Sequence, residues 1–122
     1  MIRIMFGRSG GFAGSATAIE GNVTFNGGTG RVASAFGYQR DLGPDEIEAL
    51  RTAIGQLSHG RAEPPVQLRD AYQYDVRIIH DDGSTESLTV HGDPSPGRQD
   101  LFGWVRQECD RIWAYRASRR AD

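Results

Sequence analysis

An apolar stripe in the last third of the chain is the feature that most constrains the fold. Apolar residues recur there at three- and four-residue steps, which predicts a long amphipathic helix near 98–117. A helix that is apolar along one side is stable only when that side is buried, so the rest of the chain must cover it. The stripe consists of Leu101, Phe102, Val105, Cys109, Ile112 and Trp113.

A hairpin near 72–91 can be predicted down to its register. Its turn signal is Asp81-Asp82-Gly83, and a three-residue loop at this turn pairs Val76 with Leu88. A loop of two or four residues would instead turn Leu88 to the opposite face of the sheet. The three-residue loop also puts the glycine where a left-handed conformation is needed. The predicted core face is Tyr74, Val76, Ile78, Leu88 and Val90.

The first part of the chain also carries strand signals. Residues 2–8 alternate between core-facing and outward-facing side chains, as a half-buried strand requires. A glycine-rich stretch follows over 9–14, so the simplest topology is a hairpin near 2–20. Residues 21–40 are compatible with a second hairpin around the turn signal at 26–30 or with a loop.

A second helix is predicted near 44–57. A proline fits its first turn, and the acidic pair Asp45-Glu46 complements the positive end of the helix dipole. Strands and helices are mixed without room for parallel crossovers, which indicates the α+β class. We predict a single domain over 1–122, with an antiparallel sheet of about four strands packed against both helices and a frayed, Arg-rich tail over 116–122.

Charge and composition narrow the range of partners. The formal net charge is −2, which argues against nucleic acid as the main partner because phosphate binding needs a cationic surface. The arginines near the C-terminus are compatible with a solvated helix face or with a patch for an anionic partner. No run approaches the roughly 20 apolar residues of a membrane span, and the opening strand is too short for a signal peptide. With a single cysteine, these features predict a cytoplasmic protein that binds no membrane.

Reactive side chains are not gathered in any pattern that predicts catalysis. His80 and His91 fall at opposite ends of the predicted hairpin, and no neighbouring residues stand at zinc-ligand spacing. The glycine-rich stretches at 7–14 and 26–30 lack the Gly-Lys-Ser/Thr ending of a phosphate-binding loop. Asp81-Asp82 has the composition of a turn. We therefore predict a protein that is not an enzyme and has no metal site and no cofactor.

The segment Arg8-Ser9-Gly10-Gly11-Phe12-Ala13-Gly14, directly after the first strand, resembles the opening of emfourin-type protein inhibitors. Asp70-Ala71-Tyr72-Gln73-Tyr74, the strand and glycine turn that follow, and the final helix are also similar to that family. The resemblance covers about 2–19 and 42–113. Residues 21–40 are longer than the family pattern, and the Arg-rich end after Trp113 is an extension.

Emfourin-type proteins inhibit protealysin-like members of the thermolysin family, often made by the same bacterium, so the resemblance implies a metalloprotease as partner. On this basis Phe12, held between glycines, would enter the apolar pocket of the protease, or it would only plug the end of the sheet. Arg8 would pair with an acidic rim on the protease or remain solvated. The alternative is a non-catalytic interaction module with a different partner; the oligomeric state is open. The expected protease-binding residues are Arg8, Ser9, Gly10, Gly11, Phe12, Ala13 and Gly14.

Overall fold

A computed structural model describes residues 1–10, 19–34, 37–57, 72–91 and 97–120. Over these residues the chain forms an α+β domain with one antiparallel sheet, as predicted. The strands lie in the order β4-β3-β2-β1-β5-β6, so the first strand is central. The elements are β1 (Ile2–Gly10), β2 (Ile19–Asn26), β3 (Thr29–Ala33), β4 (Gln39–Leu42), α1 (Pro44–Gln56), β5 (Tyr72–Ile79), β6 (Thr85–His91) and α2 (Gln99–Arg120).

The predicted number of strands is wrong, because the sheet has six strands within the described residues and the sequence indicates about four. The return strand of the first hairpin starts at Ile19 and continues to Asn26, so it extends into the stretch 21–40, whose sequence is compatible with a hairpin or a loop. Gly21 occupies a core-facing position in β2, and a glycine there hides the apolar alternation. The hairpin around residues 26–30 does form, between β2 and β3.

Strand β4 was missed for a related reason. Its sequence offers one buried apolar side chain, Leu42, and the position two residues earlier on the same face is Arg40. An arginine on the core face breaks the alternation on which strand prediction depends. The strand nevertheless pairs with β3 from Ala33 to Gly30.

The register predicted for the hairpin near 72–91 is confirmed. Val76 pairs with Leu88, and Tyr74 pairs with Val90. Gly83 has a φ of 85°, the left-handed conformation that the three-residue loop requires. Next to it, Asp82 Oδ1 accepts hydrogen bonds from the backbone and hydroxyl of Ser84, which fits the interpretation of this acidic pair as a turn.

Both helices lie on one face of the sheet and build the core with it. The helix α1 runs over nearly the predicted range, and α2 continues to Arg120, past the predicted end near 117, so that residues 116–120 lie in its last turns. Trp113, at the edge of the predicted stripe, is 38% exposed. The helices bury Ile47, Leu50, Ala53, Leu101, Phe102, Val105, Cys109 and Ile112 against the strands.

Two further predictions concern the single cysteine and membrane crossing. Cys109 is fully buried, and burial raises the pKa of its thiol to about 12, so the thiol is protonated and unreactive at neutral pH. Neither helix is long and apolar enough to cross a membrane, as judged over the described ranges.

Candidate functional site

The predicted protease-binding segment begins at the end of the central strand. Arg8, Ser9 and Gly10 are the last residues of β1, whereas Gly11, Phe12, Ala13 and Gly14 lie outside the described residues. Arg8 is paired on one side with Ile19, the first residue of β2, and on the other with Tyr74 of β5. Arg8, at the start of the glycine-rich segment, therefore lies between two paired strands.

The interpretation of Arg8 as a solvated side chain is wrong. Arg8 shares the core face of β1 with Phe6, and its side chain is only 6% exposed. Its Nη1 donates a hydrogen bond to Asp110 Oδ1 of α2 at 2.6 Å. Burial lowers the pKa of Arg8, but hydrogen bonds with Asp110 and Tyr74 more than offset this and raise it, so the guanidinium stays charged. Arg8 thus fastens the end of β1 to α2.

A second arginine on the core face, Arg40, is 25% exposed and joins three elements on the same side of the sheet. Arg40 of β4 donates from Nη1 and Nη2 to the carboxylate of Glu46 of α1, at 2.8 and 2.6 Å. It also donates from Nη2 to Glu108 Oε1 of α2 at 2.8 Å. One guanidinium therefore bridges two carboxylates from different helices, with the paired geometry that makes such hydrogen bonds strong.

The carboxylate of Glu108 is fully buried, and its remaining acceptor positions are also used. Arg111 Nη1 donates to Oε1 at 2.9 Å, and the Tyr38 hydroxyl donates to Oε2 at 3.2 Å. Burial and the neighbouring Glu108 charge raise the pKa of Tyr38, which keeps its hydroxyl a donor. The Arg40 network, as we call this cluster, consists of Tyr38, Arg40, Glu46, Trp104, Glu108 and Arg111.

Trp104 connects the Arg40 network to the apolar core. Its indole Nε1 donates to Glu46 Oε2 at 2.7 Å, and its ring packs edge to face on Phe6 with 5.7 Å between ring centroids. The pKa of Glu46 is lowered, chiefly by the hydrogen bonds from Arg40 and also by the one from Trp104. Glu46 is therefore ionised at neutral pH, and its charge is matched inside the fold.

One residue, Glu108, is a sequence signal for this network. Glu108 lies three residues after Val105 and four before Ile112, inside the apolar stripe of α2. A charged residue in such a stripe is buried only when it is paired, so it points to an unseen partner. That partner, Arg40, is remote in sequence, and the helix dipole by itself is enough to account for an acidic residue at position 46.

Glu46 of the Arg40 network gives the domain a testable pH dependence, because its pKa is lowered. A carboxyl whose pKa is lowered on folding stabilises the folded state above its unfolded pKa of about 4.3, and this contribution is lost as the pH falls through the folded pKa. Glu46→Gln should therefore reduce stability by about 1.5 kcal/mol at pH 7 and by progressively less below pH 4. Thermal unfolding followed by circular dichroism from pH 7 to pH 2 measures the difference.

Glu48→Gln is the matched control for this prediction, since Glu48 is on the same helix and exposed. Its melting curves should follow those of the wild type at each pH. A constant gap between Glu46→Gln and the wild type down to pH 2 would contradict the assignment.

The two histidines that the structure describes lie apart from each other. His80 lies beside the β5–β6 turn with Glu86 at 3.6 Å, while His91 pairs with Gln73 at the far end of the hairpin. Among the residues that the structure describes, no three His, Cys, Asp or Glu side chains are grouped so as to hold a metal ion.

Comparison of the chain with family models, with curated proteins and with solved structures gave no match.

Proposed function

We propose that this chain is a protein inhibitor of a thermolysin-like metalloprotease and that its surface connections block the active-site cleft. The observation that carries the proposal is the pairing of Arg8 with Ile19, together with the hydrogen bond from Arg8 to Asp110. These contacts fix both ends of the connection that contains Phe12. The sequence resemblance to emfourin-type inhibitors falls on the same connection.

Fixed ends matter because inhibition by a loop depends on preorganisation. A segment already held in place loses less conformational freedom on docking, so more of the contact energy appears as affinity. Arg8 supports this as a positioning residue, since it faces inward and not towards a partner. Under this proposal the contact with the protease comes from Ser9, Gly10 and the residues that follow them.

The charges in the described part of the chain also favour binding over catalysis. The buried carboxylate of Glu108 is neutralised by Arg40 and Arg111, and Asp110 is engaged by Arg8. Groups saturated in this way stabilise a scaffold and are poorly suited to proton transfer. We therefore propose that the protein acts by its shape.

Titration against purified enzymes tests the proposal. We expect stoichiometric loss of activity for at least one thermolysin-like metalloprotease, and no inhibition of a serine protease. Phe12→Ala should raise the inhibition constant by about 30-fold or more, which corresponds to a hot-spot loss of about 2 kcal/mol. Its melting temperature should stay within about 2 °C of the wild-type value, given the size of a surface change in a domain of this length.

Met5→Ala is the matched control, because Met5 is 40% exposed on the sheet face opposite the helices. It removes an apolar side chain and should leave inhibition unchanged. If Phe12→Ala unfolds the protein and has no separate effect on inhibition, Phe12 belongs to the core. If the wild type inhibits no member of a panel of thermolysin-like metalloproteases, the proposed function is refuted.

The second candidate is a non-catalytic interaction module with a different partner. The face of the sheet that carries no helix favours it, because Met5 there is exposed among polar neighbours. This candidate predicts a stable complex that forms without loss of protease activity. The same titration, followed by size-exclusion chromatography of the mixture, separates the two functions.

A further inference from the structure

The two edges of the sheet are unequal. β4 forms one edge with a strand of four residues, where Asp41 is paired with Arg31 of β3. β6 forms the other edge over seven residues, Thr85–His91, with no proline and with Glu86 as its one acidic residue. Short length and charge are the usual protection of an edge strand, and β6 has little of either.

The backbone groups that β6 presents outward can be identified from the turn. The amide of His80 donates to the carbonyl of Ser84 at 2.9 Å, so these residues form a hydrogen-bonded pair. In an antiparallel ladder such pairs alternate, so Glu86, Leu88 and Val90 bond towards β5. The amides and carbonyls of Ser87 and Thr89 therefore point away from the sheet, as do those of the strand ends.

We propose that two copies of this chain pair antiparallel through β6 about a twofold axis at Leu88, giving one continuous sheet. Leu88 is the midpoint of Thr85–His91, so this register pairs the whole strand. It brings the outward backbone groups of Ser87 in each copy opposite those of Thr89 in the other copy. The helices of both copies then lie on the same side of the joined sheet.

The side chains fit this register. Leu88 is only partly buried within one copy, and it would face Leu88 of the second copy in a non-hydrogen-bonded pair, where side chains approach most closely. Glu86 would face Val90 of the second copy, so no like charges are opposed. Ser87 and Thr89 are exposed hydroxyl residues on the outer face and would be cross-strand neighbours.

Other registers fit less well. A shift by one residue would place outward-pointing amides opposite amides already used within the sheet, and it would put the two helical layers on opposite sides. A twofold axis at Ser87 would place Glu86 of each copy opposite Leu88 of the other copy, and it would leave the C-terminal end of β6 unpaired. An axis at Thr89 would likewise leave Thr85 unpaired. The complementarity therefore selects a second copy of the same strand in one register.

Sedimentation velocity from low micromolar to submillimolar concentration tests the pairing. We expect a reversible monomer–dimer equilibrium for the full chain. Ser87→Pro removes an outward-pointing amide and leaves the hydrogen bonds to β5 intact, so it should weaken dimerisation at least tenfold. The control variant Ser87→Thr keeps the amide and should dimerise as the wild type does. Circular dichroism melting curves check that each variant is folded.

Oppositely charged substitutions of Leu88, the residue on the proposed twofold axis, provide a second test of the dimer. Leu88→Arg and Leu88→Glu should each be monomeric, because like charges would face each other, and an equimolar mixture should form a heterodimer. A wild type that stays monomeric throughout the concentration range would overturn the proposal. So would single-charge variants that dimerise, or a mixture that remains monomeric. Because neither the axis nor the strand includes a residue of the proposed inhibitory connection, this result is independent of protease inhibition.

Discussion

Replacing Arg40 by methionine should lower the free energy of unfolding by about 3–5 kcal/mol, the usual cost of removing one partner of a buried ion pair. The reason is Glu108, whose side chain has no exposure to solvent and takes up to three of its hydrogen bonds from Arg40. Methionine fills a similar volume but donates no hydrogen bond, so the buried carboxylate loses its main counter-charge. Chemical denaturation in urea at pH 7 measures the change.

The sheet supplies a matched control for this prediction. Arg31 on the neighbouring strand β3 also pairs with an acidic residue, Asp41, at 3.0 Å, but both side chains are exposed. Arg31→Met should therefore cost no more than about 1 kcal/mol. Equal effects of the two substitutions would show that burial of Glu108 does not determine the energy of the pair.

The double variant Arg40→Met/Glu108→Met tests the same idea from the opposite direction. Removing both charges leaves no buried ion without its partner, and such replacements are often close to neutral. We expect the double variant to be more stable than Arg40→Met alone, although Glu46 then lacks its bidentate partner. A double variant that is less stable than Arg40→Met would contradict this account.

The parts of the fold that were predictable from sequence are those in which a local pattern decides the structure. In the hairpin near 72–91 the turn glycine and the alternation agree, so its register followed from the residues alone. The stripe of α2 and the acidic start of α1 were equally local. Strand β2 was predicted only in separate parts and strand β4 was not predicted, because Gly21 and Arg40 occupy core-facing positions, and each is explained only by a residue that is distant along the chain.

The candidate site shows the same limit. The end of β1 could be predicted as the place where the glycine-rich segment begins, and Ser9 and Gly10 stay in the proposed binding set. The inward direction of Arg8 could not be predicted, because an arginine after alternating apolar residues normally ends a buried face. Asp110 and Tyr74 make that burial possible, and both are remote along the chain, Asp110 by 102 residues.

Gly21→Ala should destabilise the sheet strongly, with an expected loss of about 3 kcal/mol in the free energy of unfolding. A Cβ at this position would lie 2.6 Å from Phe6 Cζ and 3.2 Å from Ile112 Cδ1. The Phe6 ring is 4% exposed and packs on Trp104, whose indole is held by Glu46, so the ring has little room to move.

Gly28→Ala is the control for Gly21→Ala, since a Cβ on Gly28 would have no neighbour within 4 Å. It should change the free energy of unfolding by no more than about 0.5 kcal/mol. Combining Gly21→Ala with Phe6→Leu gives the new methyl group space, so the pair should be more stable than the sum of the single changes by about 1 kcal/mol, as a double-mutant cycle in urea would measure. Strict additivity would mean that the ring of Phe6 is not what makes glycine necessary at this position, and the contact with Ile112 would then have to account for it.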